Sequence, residues 1–241
     1  MLLRSITKHV KDQNWFAVGI DFAIVVIGVF IGIQVANWNG ARQESKLKVL
    51  IEDRLIADFQ MIDEELDAAV ERMESQLISL EVFRKAILRR TENPEEKDAI
   101  VHALSRGFSY PRFTRQSVTY QELQTSGRLD LISNEALRVV LAEFDQNQQG
   151  RRLNLRTIRD GLVRNGFRAG EYTSLQDLER DEDGNFQIAD YAEFDFEAMV
   201  SDPKYIDRIE ATLASQTWIH SNVRWARRDA DAVLAVIEGL K

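Results

Sequence analysis

The chain has 241 residues, a net charge of −8 and no cysteine. The acidic balance argues against a nucleic-acid-binding protein, which normally presents a basic face. The lack of cysteine excludes disulfides, thiolate catalysis and cysteine-ligated zinc.

The first predicted element is an apolar helix from Phe16 to Ala36, flanked by Trp15 and Trp38. Twenty-three residues of helix span roughly 35 Å, which approximates a bilayer's apolar core with its interfacial edges. Indole rings favour the headgroup boundary. The apolar run is longer than a signal-peptide core, and no small-residue cleavage site follows it. We therefore expect an uncleaved membrane anchor at residues 15–38, after a short segment at residues 1–14.

The orientation of this anchor follows from the basic residues on its two sides. Their counts nearly balance, so the positive-inside rule favours one orientation only slightly. The residues are Arg4, Lys8 and Lys11 before the anchor, and Arg42, Lys46 and Lys48 after it. We expect the amino terminus in the cytoplasm and the following domain outside.

Three residues within the anchor are candidates for helix packing. Gly28 and Gly32 form a G-x-x-x-G pair, a spacing that lets two membrane helices approach closely. The pair indicates either self-association or pairing with another membrane helix, or it is incidental. Asp21 could form a salt link to a basic residue of a partner, but it lies close enough to Trp15 to reach the interface, which we favour.

A long amphipathic helix is predicted to continue directly from the anchor. Apolar residues recur about every 3.6 positions, as in a straight helix, and no glycine or proline interrupts residues 41–93. The rest of the chain or another copy must cover this stripe. Its members are Leu47, Ile51, Leu55, Phe59, Ile62, Leu66, Ala69, Met73, Leu77, Leu80, Phe83 and Ile87.

Shorter helices are predicted next, from their capping residues. Asn93 with Pro94 starts a helix that ends near Arg106 and is closed by Gly107. Thr119 and Glu122 have capping-box spacing, and Gly127 suits a left-handed helix end. Asn134 starts a helix that ends near Asn165 and has a polar middle, which is expected to be partly exposed or to face a wet cavity.

The last third of the chain is acidic before it becomes helical again. A small hairpin is plausible near residues 180–190, where Asp183-Gly184 is a turn signal. A final helix should run from Asp202-Pro203 to about Leu240. We therefore predict an all-α protein, in which residues 39–241 form an antiparallel helical bundle next to the membrane.

Two segments, residues 25–39 and 119–134, resemble the recurring stretches of a family of bacterial single-pass membrane proteins of unknown function. The first reads V-V-I-G-V-F-I-G-I-Q-V-A-N-W-N and the second T-Y-Q-E-L-Q-T-S-G-R-L-D-L-I-S-N. The resemblance covers about 30 residues and implies an envelope protein with a helical domain. It brings no catalytic residues. With the orientation above, we expect the bacterial inner membrane and a periplasmic domain.

Arginines near tryptophans form a candidate docking surface for an acidic partner, an anionic ligand or a lipid headgroup, because guanidinium groups offer a planar donor fork and stack on aromatic rings. The alternative is a solvated face neutralised by the chain's many acids. The candidate residues are Arg151, Arg152, Arg224, Arg228, Trp218 and Trp225.

Metal and catalytic motifs are weak or missing. Asp181, Asp183 and Asp190 fall at calcium-ligand positions of an EF-hand-like stretch, but that stretch begins with Glu179 and ends without the bidentate glutamate. A solvated turn is therefore favoured over a calcium site. The three histidines are far apart, and no P-loop, G-x-G-x-x-G or G-x-S-x-G motif occurs. We expect no enzyme and no cofactor.

The function expected from these features is a membrane-anchored helical interaction or scaffold module. It would be an accessory subunit of a larger membrane complex or a homo-oligomer. Its partners would be the bilayer and either another membrane protein or a second copy. The alternative is a small-ligand sensor outside the membrane that acts through a partner protein, with ligand contacts from residues 144–156.

Overall fold

The computed structural model describes residues 15–107, 109–110, 115–166, 171–175 and 191–239. These residues form six α-helices, two short 3₁₀ turns (Pro94–Glu96 and Leu129–Leu131) and a two-stranded sheet. The all-α prediction is confirmed. The helices are α1 (Trp15–Arg89), α2 (Lys97–Arg106), α3 (Val118–Ser126), α4 (Glu135–Asn165), α5 (Phe196–Ser201) and α6 (Pro203–Glu238); the strands are β1 (Thr173–Leu175) and β2 (Tyr191–Phe194).

The chain divides into two compact units, Met1–Ile51 and Glu52–Lys241. The boundary lies within α1, and the expected anchor limits, residues 15–38, stay a prediction. In the described part of the first unit, α1 is the only element. The predicted segment 1–14 lies outside the described residues.

The second unit has a core built on the apolar stripe of α1. Leu55, Phe59, Leu66 and Phe83 are almost completely buried there, as the 3.6-residue spacing predicts. Two stripe residues depart from the prediction, because Leu47, in the first unit, and Leu77 are only partly buried. Beside Leu77, Gln76 takes the buried position.

The three long helices of the second unit pack as a bundle. Residues with higher numbers on α1 contact residues with lower numbers on α6, so the two helices are antiparallel. The pairs are Asp67–Arg227, Glu74–His220 and Arg84–Glu210.

Helix α4 completes the bundle. Its Phe144 ring meets the ring of Phe59 on α1 edge-on, with centroids 4.9 Å apart. Arg151 near the middle of α4 pairs with Asp229 near the end of α6, and Gly161 lines a groove with Trp218. Helices α4 and α6 are therefore antiparallel, as predicted for the bundle.

The predicted helix ends are largely confirmed. Asn134 Oδ1 accepts a hydrogen bond from the Leu137 amide at 2.9 Å, and Asp202 accepts one from the Lys204 amide. Gly127 ends α3 with φ +68°, a left-handed conformation that glycine adopts without steric cost. Helix α2 ends at Arg106 as expected.

The start of α3 differs from the prediction. Ser117, not Thr119, is the capping residue, and its Oγ accepts a hydrogen bond from the Tyr120 amide at 3.0 Å. Asp58 of α1 explains the shift, because its Oδ2 accepts hydrogen bonds from Ser117 Oγ at 2.7 Å and from the Thr119 amide at 2.9 Å. A contact distant in sequence thus sets this helix start.

Strands β1 and β2 form an antiparallel pair in which Thr173 faces Phe194 and Ser174 faces Glu193. They flank the region where a hairpin was predicted. The expected Asp183-Gly184 turn and the calcium candidates Asp181 and Asp190 lie outside the described residues.

Candidate functional site

The apolar segment of α1 has no covered face in the described structure. Ile24, Val25, Val26 and Ile27 are consecutive and project about 100° apart, so together they sample every direction around the helix. Their exposed fractions lie between 48% and 63%. This helix is long and apolar enough to cross a membrane, and none of its most apolar window is buried. A core helix of a soluble protein would instead bury a stripe.

The predicted packing residues of the anchor lie on this uncovered helix. A Cβ atom added at Gly28 or Gly32 would meet no other atom within 4 Å, apart from the helix's own nearby backbone. Asp21 is exposed and forms no ion pair within the described residues. At the two ends, Trp15 begins α1, and Trp38 is exposed with the Arg42 guanidinium 5.9 Å from its ring centroid.

Four of the six predicted docking residues come together on α6. We define the α6 outer face as Trp218, Ser221, Arg224, Trp225 and Arg228. The two indoles meet edge to face with centroids 6.1 Å apart, and each is 45% exposed. Neither Arg224 nor Arg228 forms an ion pair within the described residues. The face therefore offers two large aromatic surfaces beside two cations that have no acidic partner there.

Grooves border the α6 outer face on both sides. On the α1 side, an open groove of about 460 Å³ has Val70, Trp225, Arg224 and Arg228 among its lining residues. On the α4 side, a shallower groove of about 440 Å³ lies beside Trp218. Large side chains of a docked helix or loop could enter either groove.

The other two predicted docking residues are separate from this face. Arg151 is 8% exposed and pairs with Asp229, which also accepts a hydrogen bond from Asn147 at 2.9 Å. Its guanidinium therefore links α4 to α6. Arg152 is exposed on α4 and does not line the groove beside Trp218.

Acidic residues of α1 neutralise the inner wall of the α1-side groove. Arg227 pairs with Asp67 and lies 3.9 Å from Asp63 Oδ1. Burial raises the pKa of Asp63, and the nearby carboxylates of Asp67 and Asp231 raise it further against the opposing effect of Arg227. The uncompensated positive charge thus lies on the outer side of the groove.

Buried polar side chains are the feature that sequence reasoning missed. Gln76, Gln148 and Gln216 lie in the core. On α6, Gln216 lies at helical spacing from Ile209 and Val223, on the same face of the helix. A polar residue within this apolar stripe was the sequence signal that could have predicted its burial. The polar middle of α4 was expected to be partly exposed or to face a wet cavity. There Gln146, Asn147 and Gln149 are exposed, whereas Gln148 is fully buried.

No group of three or more histidine or acidic residues in the described parts of the chain is arranged to hold a metal ion. Comparison with protein-family models, with curated proteins and with solved structures gives no match. The resemblance in residues 25–39 and 119–134 therefore stays a prediction.

Proposed function

We propose that this chain is a non-enzymatic, membrane-anchored helical module that docks a partner protein through the α6 outer face. The observation that carries the anchoring is the exposure of Ile24 to Ile27 in all directions around α1. Four adjacent apolar side chains in water are unfavourable, at about 25 cal/mol per Å² of apolar surface. Lipid removes this cost.

The composition of the α6 outer face supports docking. Tryptophan and arginine are enriched among the residues that contribute most to binding between proteins. Arg224 and Arg228 have no acidic partner in the described structure, so a partner that presents carboxylates would complement them. In a membrane, such a partner is another subunit of a complex or a second copy of this chain, which the Gly28–Gly32 pair could bring close.

The resemblance and the basic residues flanking the anchor favour the bacterial inner membrane with the bundle in the periplasm. Protease added to intact spheroplasts should then digest the bundle, whereas protease added outside inverted inner-membrane vesicles should leave it intact. Protection of the bundle in intact spheroplasts would reverse the orientation.

Fractionation tests the anchor. The full chain should remain in the membrane pellet after alkaline carbonate and should enter the supernatant only with detergent. Its amino-terminal sequence should still begin before Trp15. Recovery in a high-speed supernatant without detergent, or a new amino terminus after Trp38, would contradict the proposal.

Site-specific crosslinking tests the docking surface in native membranes. A photo-crosslinking residue at Ser221, between the two tryptophans, should give one discrete adduct. The same residue at Arg156, exposed on α4, is the matched control and should give none. Trp218→Ala with Trp225→Ala should abolish the adduct without changing the circular dichroism spectrum. No adduct at position 221, or equal adducts at both positions, would contradict docking at this face.

A further inference from the structure

A further cavity, separate from the two grooves beside the α6 outer face, lies in the second unit between α1, α2 and residues 109–110. Its volume is about 290 Å³. The polar groups that line it include Arg72 and Gln76 of α1, His102 and Arg106 of α2, and Ser109 and Tyr110 after α2. No acidic side chain is among the described residues that line it, although the chain has 39 acidic and 31 basic residues. The cavity is therefore locally positive within an acidic protein.

Two buried glutamines fix one side of this cavity. Gln76 Nε2 donates hydrogen bonds to the carbonyls of Arg106 at 2.6 Å and Ser109 at 3.0 Å. Gln216 of α6 donates to the carbonyls of Gly107 at 2.7 Å and Ser109 at 3.0 Å.

These carbonyls at and after the end of α2 carry partial negative charge, which would repel an anion if it were unpaired. The amide groups of the two glutamines compensate that charge. They also hold Ser109, and hence the adjoining Tyr110, in a defined place.

The ring of His102 is oriented by a chain of two hydrogen bonds. Ser79 Oγ donates to the Ser75 carbonyl at 3.0 Å. Nδ1 of His102 lies 3.0 Å from Ser79 Oγ and is hydrogen-bonded to it. Nε2 is the ring nitrogen left for a ligand.

We propose that this cavity binds a small organic anion through its carboxylate or phosphate group. The Arg72 and Arg106 guanidinium groups can each bind such a group with two parallel hydrogen bonds. Pockets for drug-sized ligands measure roughly 300–1,000 Å³. This cavity, at about 290 Å³, lies at the lower limit of that range and suits a dicarboxylate, a tricarboxylate or a small phosphate ester.

The site is distinct from the α6 outer face, and it differs from residues 144–156, where the sensor hypothesis places ligand contacts. Anion binding and protein docking can therefore fail independently. Bound anion should change the surroundings of the His102 ring, which lines the cavity. The charged and titratable side chains that line the cavity with it are Arg72 from α1, Arg106 from α2 and Tyr110.

Histidine NMR of the full chain in detergent micelles tests this directly. With ¹³C-labelled histidine, the chain gives signals from His9, His102 and His220, and His102→Gln assigns the relevant one. Citrate, succinate and glycerol 3-phosphate are titrated separately at constant ionic strength. At least one should shift the His102 signal, with saturation and a Kd below about 1 mM. The signal of His220, which lines the α1-side groove, should not shift.

Variants localise the binding. Arg72→Gln with Arg106→Gln should weaken it by about 10- to 100-fold, because charge-assisted bonds are lost. Arg106→Lys keeps the charge but loses the planar fork, so a smaller loss is expected. Arg156→Gln on α4 is the matched control. The proposal is overturned by the lack of a saturable His102 shift up to about 20 mM, by an equal shift of His220, or by unchanged binding in the double variant or in Arg106→Lys.

Discussion

The two units of this chain use apolar residues in opposite ways, and a single helix carries both patterns. In the first unit, Ile24 to Ile27 are all apolar and all exposed. In the second, Ile62 and Leu66 are buried, and the three positions between them are Asp63, Glu64 and Glu65.

The difference lies in the width of the apolar surface. A stripe can be covered by neighbouring helices, whereas an apolar helix circumference needs a surrounding solvent that is itself apolar. The first unit therefore depends on its environment, and the second depends on its own packing.

The largest effect should come from placing charge in the first unit. Val26→Arg with Ile27→Arg should destabilise membrane insertion by about 5–7 kcal/mol, at about 2.5–3.5 kcal/mol per arginine. Carbonate extraction should then release the chain. Leu153→Arg with Val163→Arg, at exposed apolar positions of α4, is the control and should leave it in the pellet. Equal behaviour of both pairs would remove the distinction between the units.

The converse test removes an apolar side chain from each unit. Phe59→Ala should lower the free energy of unfolding of the bundle by about 3–5 kcal/mol, because Phe59 is fully buried against Phe144. Phe30→Ala, in the exposed part of α1, should leave it unchanged. Urea unfolding of the full chain in detergent, followed by the near-ultraviolet circular dichroism of the bundle, measures both. A matching loss in Phe30→Ala would mean that the first unit also contributes to the bundle's stability.

Within the second unit, two buried glutamines should respond to the same substitution with opposite signs. Gln216→Leu leaves the Gly107 carbonyl without its side-chain donor and removes one of the two donors to the Ser109 carbonyl, so it should cost about 1–3 kcal/mol. Gln148 is fully buried, and neither atom of its amide has a partner within the described residues. Gln148→Leu should therefore stabilise the bundle by about 1 kcal/mol. Urea midpoints measure both changes, and destabilisation by Gln148→Leu would indicate an internal polar partner such as buried water.

The smallest effect concerns Asp63, whose pKa is raised above the ordinary 3.8 by burial and by neighbouring carboxylates. The folded chain thus binds this proton more tightly than the unfolded chain does. The resulting stabilisation is complete below pH 3.8 and is lost as the pH rises through the higher folded pKa.

Asp63→Asn, which resembles the protonated acid, should therefore raise Tm by about 1–3 °C at pH 7. The gain in Tm should vanish near pH 3.8, where Asp63 is protonated in the folded chain. Thermal scans across pH check this, with Asp207→Asn on an exposed part of α6 as control. A Tm difference that is negative, or that is the same at every pH, would contradict a raised pKa of Asp63.

Features that depend on neighbouring residues could be read from the sequence. The apolar run of α1, the cap at Asn134 and the left-handed end at Gly127 all follow from local chemistry. The grouping of Trp218 with Trp225 was also accessible, because seven residues are close to two helical turns.

Features that depend on distant contacts could not be predicted. The capping role of Ser117 requires Asp58, and the inward position of Arg151 requires Asp229, 78 residues away. The burial of Gln76 in place of Leu77 likewise requires the carbonyls at the end of α2. These polar residues are buried where a residue distant in sequence supplies their hydrogen-bond or ion-pair partner, and no local sequence pattern identifies that residue.

The carboxylate of Asp58 couples the first turn of α3 to α1. A nine-residue helix is marginal on its own, and here its Thr119 amide is bonded to Asp58 across the bundle. That amide hydrogen can exchange with solvent only when the two helices separate. Its exchange rate in D₂O therefore reports the opening of this contact between helices in the unmodified protein.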